Sequence, residues 1–531
     1  MKKLPIGIQT IRDIIEDGYV YVDKTPFAHR LITTGKHYFL SRPRRFGKSL
    51  FLDTLAEILK GNKELFKECA IYQTDYDWQP YPVIALDFSE TNSQSVSDFE
   101  ASIIRLLQEL ADVHEVSIDT FTAAEGFKSL IMQLHKKHQQ PVVVLVDEYD
   151  SPIVDTLQDP SAVKYIRSIL QTFFGTLKSR DSYLKFAFVT GISRFSKVSL
   201  FSKANNLTDL TMNAQYAAIA GYTEAELQSA FAEHMQAIAQ EQGTTPAEVL
   251  ATIKHWYNGY RFTEEESYVY NPFSTLNYMS ERKPKSYWYD TATPSFLIDE
   301  LKKHPEESVS LEEVTASHSE LSDKSLIDQL DIKTLMFQTG YLTIKDYNAD
   351  SRRYTLSFPN EEVREAFSES LLRHLTPNIA TQGHVCSRAL KDIDLIPFFD
   401  QIKTFFAELH YRFFSDARER TYHLMLQCML RGMGLDVVSE SALNLGIIDI
   451  LIRLPNTYYL LELKLDKTPE EALAQIHKQQ YFAPHLHKGK QLALVGVNFS
   501  SDTRSIDDWT GELLDENGQR LRVLTPDKKK A

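Results

Sequence analysis

Five consecutive aliphatic residues, Val142-Val143-Val144-Leu145-Val146, run directly into two acids, Asp147-Glu148. A strand that is apolar on both faces belongs in the middle of a sheet covered on both sides. Such sheets are parallel, and their strands alternate with helices. The surrounding sequence supplies both. Further apolar runs rich in β-formers occur at Tyr38–Leu40, Val83–Phe88 and Phe186–Val189, and helical patterns such as Leu50–Lys60 and Phe99–Leu110 separate them. The fold expected is a multidomain α/β chain with a parallel-sheet core in its first 220 residues.

The earliest of these strands opens into Ser41-Arg42-Pro43-Arg44-Arg45-Phe46-Gly47-Lys48-Ser49 and then a helix. Gly-Lys-Ser at a strand–helix junction is the end of a P-loop. Backbone amides, including those around Arg45 and Gly47, and the helix N-terminus hold phosphate oxygens. Lys48 then bridges the β- and γ-phosphates of ATP, and Ser49 ligates Mg2+. Arg42 stands where the first glycine of the usual pattern is expected, which predicts a loop of different shape. The tripeptide alone is common and also reads as a basic surface turn. Asp147 and Glu148 add weight, the first placed to hold Mg2+ and the second to polarise an attacking water. A strand exit with solvated charges is their plainer reading. Thr190 ends the strand Phe186–Val189, where sensor polar residues lie in such ATPases, and Arg194 follows, able to meet a γ-phosphate; a loop arginine is the alternative for Arg194. Asp23, with Lys24, is expected either to border the adenine pocket or to be a surface turn.

From about Gly221 to Phe367 helices give way to short strand-like pieces, Tyr341–Lys345 and Tyr354–Phe358, as in a lid or winged-helix domain. The expected division is an ATPase domain over 1–220, a lid over 221–375, a helical linker over 376–410 and a last module over 411–531. That module reads helix Glu419–Leu430, strands Asp436–Glu440, Ile447–Leu454 and Tyr458–Lys464, helix Pro469–Gln480 and strand Gln491–Val497.

Glu-x-Lys occurs three times, at Glu281, Glu300 and Glu462, so the tripeptide by itself decides nothing. Only Glu462-Leu463-Lys464 lies in a strand, and a preceding strand carries a lone acid, Asp449. If Pro455 and Asn456 centre the turn between them, Asp449 falls opposite Glu462, and period two puts Lys464 on the same face. A slip of one residue sends Asp449 to the other face. Two carboxylates and a lysine on an apolar hairpin are costly without a task. Oxygen ligands with open water positions suit Mg2+ or Mn2+, with Lys464 orienting a water or stabilising developing charge. A structural salt bridge is the alternative. Thr468-Pro469-Glu470-Glu471 starts the next helix with an N-cap and proline at its first position, and Gln475 lies two turns in, facing either the site or solvent. Glu419 either supplies another acid or pairs with Arg418 or Arg420.

The net charge is -14, which tells against a protein whose whole surface coats nucleic acid. From Asp416 to Ala531, however, 15 Lys and Arg meet 16 Asp and Glu, so the acidity lies elsewhere. Three scattered cysteines argue against a disulfide framework or a zinc site. The N-terminus lacks the apolar core of a signal peptide, and no apolar run is long enough to span a bilayer. A reducing cytoplasm is expected, with no membrane partner; homo-oligomerisation is left open.

Taken together, Leu4–Gln9, Tyr21–Thr25, Ser41–Ser49, Val146–Asp150, Trp256–Tyr260, Phe337–Leu342 and Glu462–Lys464 resemble the bacterial AAA-ATPase-like proteins with a C-terminal PD-(D/E)XK nuclease-superfamily domain. The resemblance implies an additional-strand, catalytic-Glu P-loop core, a winged-helix-like lid and a restriction-endonuclease-like core. It makes Arg42 a family trait, and it places Asp449, Glu462, Lys464 and Gln475 at the superfamily's motif positions. Where the family usually has Gly-Arg-Ile-Asp, this chain has Gly446-Ile447-Ile448-Asp449, which removes an arginine suited to phosphate contact. The function expected is a nucleotide-regulated, Mg2+-dependent nuclease acting on DNA ahead of RNA, with a role in defence against foreign nucleic acid in view. The alternative is a signalling or scaffold NTPase whose nuclease-like domain binds without cutting.

Overall fold

The computed structural model describes residues 1–92, 96–157, 159–193, 206–288, 314–321, 332–375, 379–409, 419–443 and 446–526. The chain divides into two compact units, 1–297 with 311–364, and 298–310 with 365–531.

The first unit is built on strands β1 (His37–Ser41), β2 (Val83–Asp87), β3 (Val142–Asp147), β4 (Leu184–Gly191) and β5 (Thr208–Asp209), all parallel, in the order β2-β3-β4-β1-β5. An extra strand, β4, thus separates the P-loop strand β1 from the acid-bearing β3. This is the additional-strand arrangement. Helices α1 (Ile11–Glu16), α2 (Thr25–Thr34), α3 (Lys48–Leu59), α4 (Val96–Val113), α5 (Ala123–His138) and α6 (Pro160–Ser179) complete the core. Every residue of β3 is buried, as its unbroken aliphatic run requires. Val142, Val144 and Val146 pack with α4, α5 and α6. On the other face Phe188 of β4 meets Phe51 of α3, ring centroids 5.8 Å apart.

The rest of this unit holds helices α7 (Glu224–Ala230), α8 (Ala232–Gln242), α9 (Pro246–Tyr257) and α10 (Pro272–Glu281), the short hairpin β6 (Tyr260–Arg261) and β7 (Tyr268–Val269), and helix α11 (Ile332–Thr339). A three-stranded sheet of β8 (Val314–Ser317), β9 (Thr343–Asn348) and β10 (Arg353–Ser357) follows, in the order β8-β10-β9. Helices α7 and α9 both begin with full capping boxes, Thr223 with Glu226 and Thr245 with Glu248. Val20 and Val22 of the N-terminal segment share a core with Leu227, Phe231, Tyr257 and Tyr270.

Helix α12 (Glu361–Leu375) carries the chain into the second unit, which contains α13 (Ile379–Lys391), α14 (Leu395–Glu408), α15 (Glu419–Gly432) and α16 (Pro469–Gln479). Its six-stranded sheet runs β11 (Val437–Leu443), β12 (Gly446–Arg453), β13 (Thr457–Leu465), β14 (Gln491–Ser500), β15 (Ser505–Leu514) and β16 (Arg520–Leu524) in spatial as in chain order. Only β13 and β14 pair in parallel, and α16 makes the crossover between them. One face carries Ile450, Ile452, Leu461, Leu463 and Val495 against α13, α14 and α15. The stretch read from sequence as a linker therefore contributes Cys386, Leu390, Phe398 and Phe405 to this core. The other face carries Leu460, Leu492 and Leu494 against Ile476 of α16. Strands β15 and β16 extend the sheet beyond the last strand expected from sequence.

Candidate functional site

The P-loop is shaped differently from the glycine-rich pattern, and the structure shows how. The left-handed residues of the loop are Arg45 (φ 67°) and Gly47 (φ 88°), so position 42 needs no glycine. Arg42 is wholly buried instead. Its guanidinium donates to the carbonyls of Ser41 (2.9 Å), Thr211 (2.8 Å) and Tyr216 (3.2 Å) and lies 4.2 Å from the centre of the Phe262 ring. The loop backbone is also held from outside. Trp288 Nε1 donates to the Arg44 carbonyl at 3.1 Å, and the Gly221 amide donates to the Phe46 carbonyl at 3.0 Å.

Lys48 is buried, with its ammonium on the Pro43 carbonyl at 3.1 Å. Asp147 ends β3 alongside Asp87 of β2, its register partner. Burial pushes the Asp147 carboxyl up to about 6, against the pull of Lys48 and a hydrogen bond from Ser49. Glu148 follows in the left-handed region (φ 49°) and lines a cleft with Lys48 and Ser49. Its exit angle is fixed by the next two residues. Tyr149 bonds the Thr190 and Ser193 carbonyls, and the buried Asp150 accepts from the amides of Ile192 and Ser193 and from the Ser193 hydroxyl. A Cβ on Gly191 would collide with both Asp150 and Tyr149, so this close approach needs glycine.

The P-loop, Asp87 and Glu148 form one end of a cleft of about 410 Å³, whose lining does not include Asp147. Arg44–Ser49, Asp87, Ser89 and Glu148 line the polar end, and Ile8, Val20, Val22, Ile219, Tyr222, Phe273 and Leu276 give an apolar remainder. A phosphate cradle beside an apolar slot is the shape a nucleotide requires. Lys24 borders it, held by Glu226 at 2.7 Å and the Ala218 carbonyl at 2.9 Å. Asp23 does not line the cleft; its carboxylate accepts the amides of Thr25 and Ala70. Thr190 lies fully buried at the end of β4, its hydroxyl without a hydrogen bond among the described residues. Arg194 lies outside the described residues.

In the second unit the β12–β13 register pairs Ile450 with Leu461 and Arg453 with Tyr458. This is the register the Pro455-Asn456 turn requires; continued by one residue it would set Asp449 opposite Glu462, but the ladder itself stops at Ile450 and Leu461. Asp449 Oδ2 accepts the Leu463 amide at 2.8 Å. Glu462 is almost fully buried; Oε1 takes the Lys464 ammonium at 3.2 Å, while Oε2 is buried with no partner among the described residues. Lys464 also donates to the Leu463 carbonyl at 3.0 Å and lies 3.9 Å from Glu419 Oε1. Burial raises the carboxyl pKa of both Asp449 and Glu462; the Asp449 charge raises Glu462 further, and the Glu419 charge adds to both. An unpartnered buried carboxylate oxygen beside a second carboxylate fits a divalent cation. Among the described residues no three His, Cys, Asp or Glu side chains form a closed metal cage; Mg2+ commonly takes one or two carboxylates and keeps several waters.

A family description, "Predicted AAA-ATPase", matches residues 5–201. A second, "PD-(D/E)XK nuclease superfamily", matches residues 417–509. An uncharacterised protein encoded in the vnfD 5' region of Azotobacter chroococcum is 38% identical over 527 residues, covering 97% of this chain and 99% of the relative. The chain belongs to the AAA-ATPase-like family that carries a C-terminal PD-(D/E)XK nuclease-superfamily domain. Among solved structures, the ORC2 protein of Aeropyrum pernix with ADPNP and ADP aligns with a TM-score of 0.28 at 9% identity, over 66% of this chain and 93% of that one.

Within the nuclease-superfamily domain, α16 starts as its sequence requires, Thr468 accepting the Glu471 amide at 3.2 Å. Its first turn lies directly on Gly496, where a Cβ would strike the Pro469 carbonyl. Gly496 is the register neighbour of Glu462, so the helix start is held beside the site. Gln475 follows Ala472, which packs over Gly496, by three residues and lies half-buried on the same side of the helix. Sequence reading missed two residues near these sites. Asp87 was discoverable as an acid ending an apolar strand, like Asp147. His423, whose Nε2 donates to the Asp449 carbonyl at 2.8 Å, gives no local signal.

Proposed function

We propose that the chain binds ATP in the P-loop cleft and uses the C-terminal domain as a Mg2+-dependent nuclease whose cleavage responds to the nucleotide. The observation that carries the nuclease reading is Glu462 Oε2, buried and unpartnered among the described residues, in a carboxylate that feels the Asp449 charge and holds Lys464. Asp449 and Glu462 would hold Mg2+ or Mn2+. Bound there, the ion would supply a more acidic water and neutralise phosphodiester charge. Lys464, tethered by Glu462 and the Leu463 carbonyl, would hold its ammonium where negative charge develops on the attacked phosphate. Gln475 would complete the polar wall from α16.

In the cleft, Lys48 would leave the Pro43 carbonyl for the β- and γ-phosphates, and the Arg45–Ser49 amides would cradle them. Ser49 and Asp147 would hold Mg2+, and Glu148 would orient the attacking water. Thr190 supplies a buried hydroxyl at the end of the neighbouring strand, and Arg194 remains a candidate for the γ-phosphate. We keep 1–220 as the ATPase domain and 221–375 as its lid. Nucleic acid, DNA ahead of RNA, is the proposed substrate. The cytoplasm is the proposed location; among the described residues no helix is long and apolar enough to cross a membrane.

The test is cleavage of DNA and RNA in Mg2+ or Mn2+, with and without ATP. Loss of cutting in Asp449→Ala and altered cutting in Lys48→Ala are expected. Cutting that persists unchanged in Asp449→Ala removes the nuclease assignment. Binding of nucleic acid without cutting by the wild-type protein returns the scaffold reading.

A further inference from the structure

The β12–β13 ladder ends at Ile450 and Leu461, one residue short of the two carboxylates. Continued in the same register, Leu463 and Leu465 would face Ile448 and Gly446. Their amides go elsewhere. Leu463 N–H donates to Asp449 Oδ2 at 2.8 Å, and Leu465 N–H donates to Glu419 Oε2 at 3.2 Å. The Asp449 carbonyl in turn accepts His423 Nε2 at 2.8 Å. Beyond the ladder's end, then, side chains take over from strand pairing. Two of those side chains come from one helix. Glu419 and His423 are four residues apart on α15, hence stacked on one face. Glu419 grips β13 just past Lys464, and His423 grips β12 at Asp449. On the other edge of β13, pairing with β14 continues through Leu465 and Phe499.

We propose that Glu419 and His423 are positioning residues: a two-point clamp by which α15 holds β12 and β13 apart at the active-site end, leaving between Asp449 and Glu462 the space a divalent cation occupies. This rests on the reading of those two carboxylates as the cation's ligands. His423 acts as an N–H donor to a carbonyl, a role its imidazole fills in either charge state. Glu419 acts as an acceptor for an amide, which a carboxamide oxygen can replace. The clamp sets where the ligands stand, so its loss weakens cation binding before any phosphate is attacked. Removing such supporting hydrogen bonds lowers metal affinity by about 10- to 100-fold in characterised sites.

The experiment is a Mn2+ titration of the full chain by electron paramagnetic resonance, without nucleic acid or nucleotide. The difference between wild type and Asp449→Ala defines the site. If the two titrate alike, the ligand reading itself fails, and the clamp with it. Given a difference, His423→Leu and Glu419→Ala are each expected to weaken that site about 10-fold or more. His423→Gln and Glu419→Gln, which restore a donor and an acceptor, are expected to recover most of it. The same order in the Mn2+ dependence of cleavage, with kcat at saturating Mn2+ changed less, supports positioning. Wild-type Mn2+ affinity in His423→Leu overturns the clamp. So does a Glu419→Gln as weak as Glu419→Ala, which would make Glu419 a direct ligand. Thermal unfolding of each variant shows that it is folded.

Discussion

Arg42 replaces a glycine without doing a glycine's work. Three carbonyls and an aromatic face receive its guanidinium. Arg42→Gly, which restores the common loop pattern, is therefore expected to destabilise the protein by about 3 kcal/mol or more, because buried acceptors lose a charged donor; urea unfolding measures it. Asp147 behaves oppositely. Its carboxyl is raised from 3.8 to about 6 by burial, so the folded state holds the proton more tightly than the unfolded chain. Ionisation thus costs stability above pH 6, and the cost is relieved as the pH falls from about 6 towards 3.8. Asp147→Asn should stabilise the nucleotide-free protein at pH 7 by up to about 3 kcal/mol, flatten its pH dependence in that window, and abolish stabilisation by Mg-ATP. A variant less stable than wild type at pH 7 would contradict this. Residue types alone did not separate these cases: Arg42 and Asp147 are both buried charges, and only their partners distinguish them.

At the scale of elements, the candidate sites lie where secondary-structure elements end. Asp87, Asp147 and Thr190 close parallel strands, and α3 begins at Lys48. In the second unit, the start of α16 sits on Gly496 beside Glu462. Gly496→Ala would push the Pro469 carbonyl off the sheet. The expected cost is about 1–3 kcal/mol, with cleavage lost along with the packing and read by thermal unfolding and nuclease assay together. These elements were largely legible beforehand. The aliphatic run made β3 a buried strand, Thr468-Pro469 started a helix, and the Pro455-Asn456 turn fixed the register that pairs Ile450 with Leu461. The end of the β12–β13 ladder was not legible, since nothing in Ile447-Ile448-Asp449 signals that pairing stops there.

For the whole molecule, two compact units imply two unfolding events with separate ligand responses. Mg-ATP at 100 times its Kd should add about 2.7 kcal/mol to the first unit, a shift absent in Lys48→Ala. Mn2+ without nucleotide should raise the second transition, and Asp449→Ala should remove that rise. Differential scanning calorimetry reads both; one transition moved equally by either ligand would deny the units independent stability. Periodicity, turn chemistry and strand-end acids were sufficient to specify the parallel core and the register of the β12–β13 hairpin, because each depends on residues close together in the chain. Tertiary structure alone decided that Asp23 braces backbone amides while Lys24 borders the cleft, that 379–409 packs into the second core, and that α15 reaches both strands of the site. Those outcomes join residues tens of positions apart. Such contacts are selected by packing and hydrogen-bond geometry, and they leave no periodic mark in the sequence.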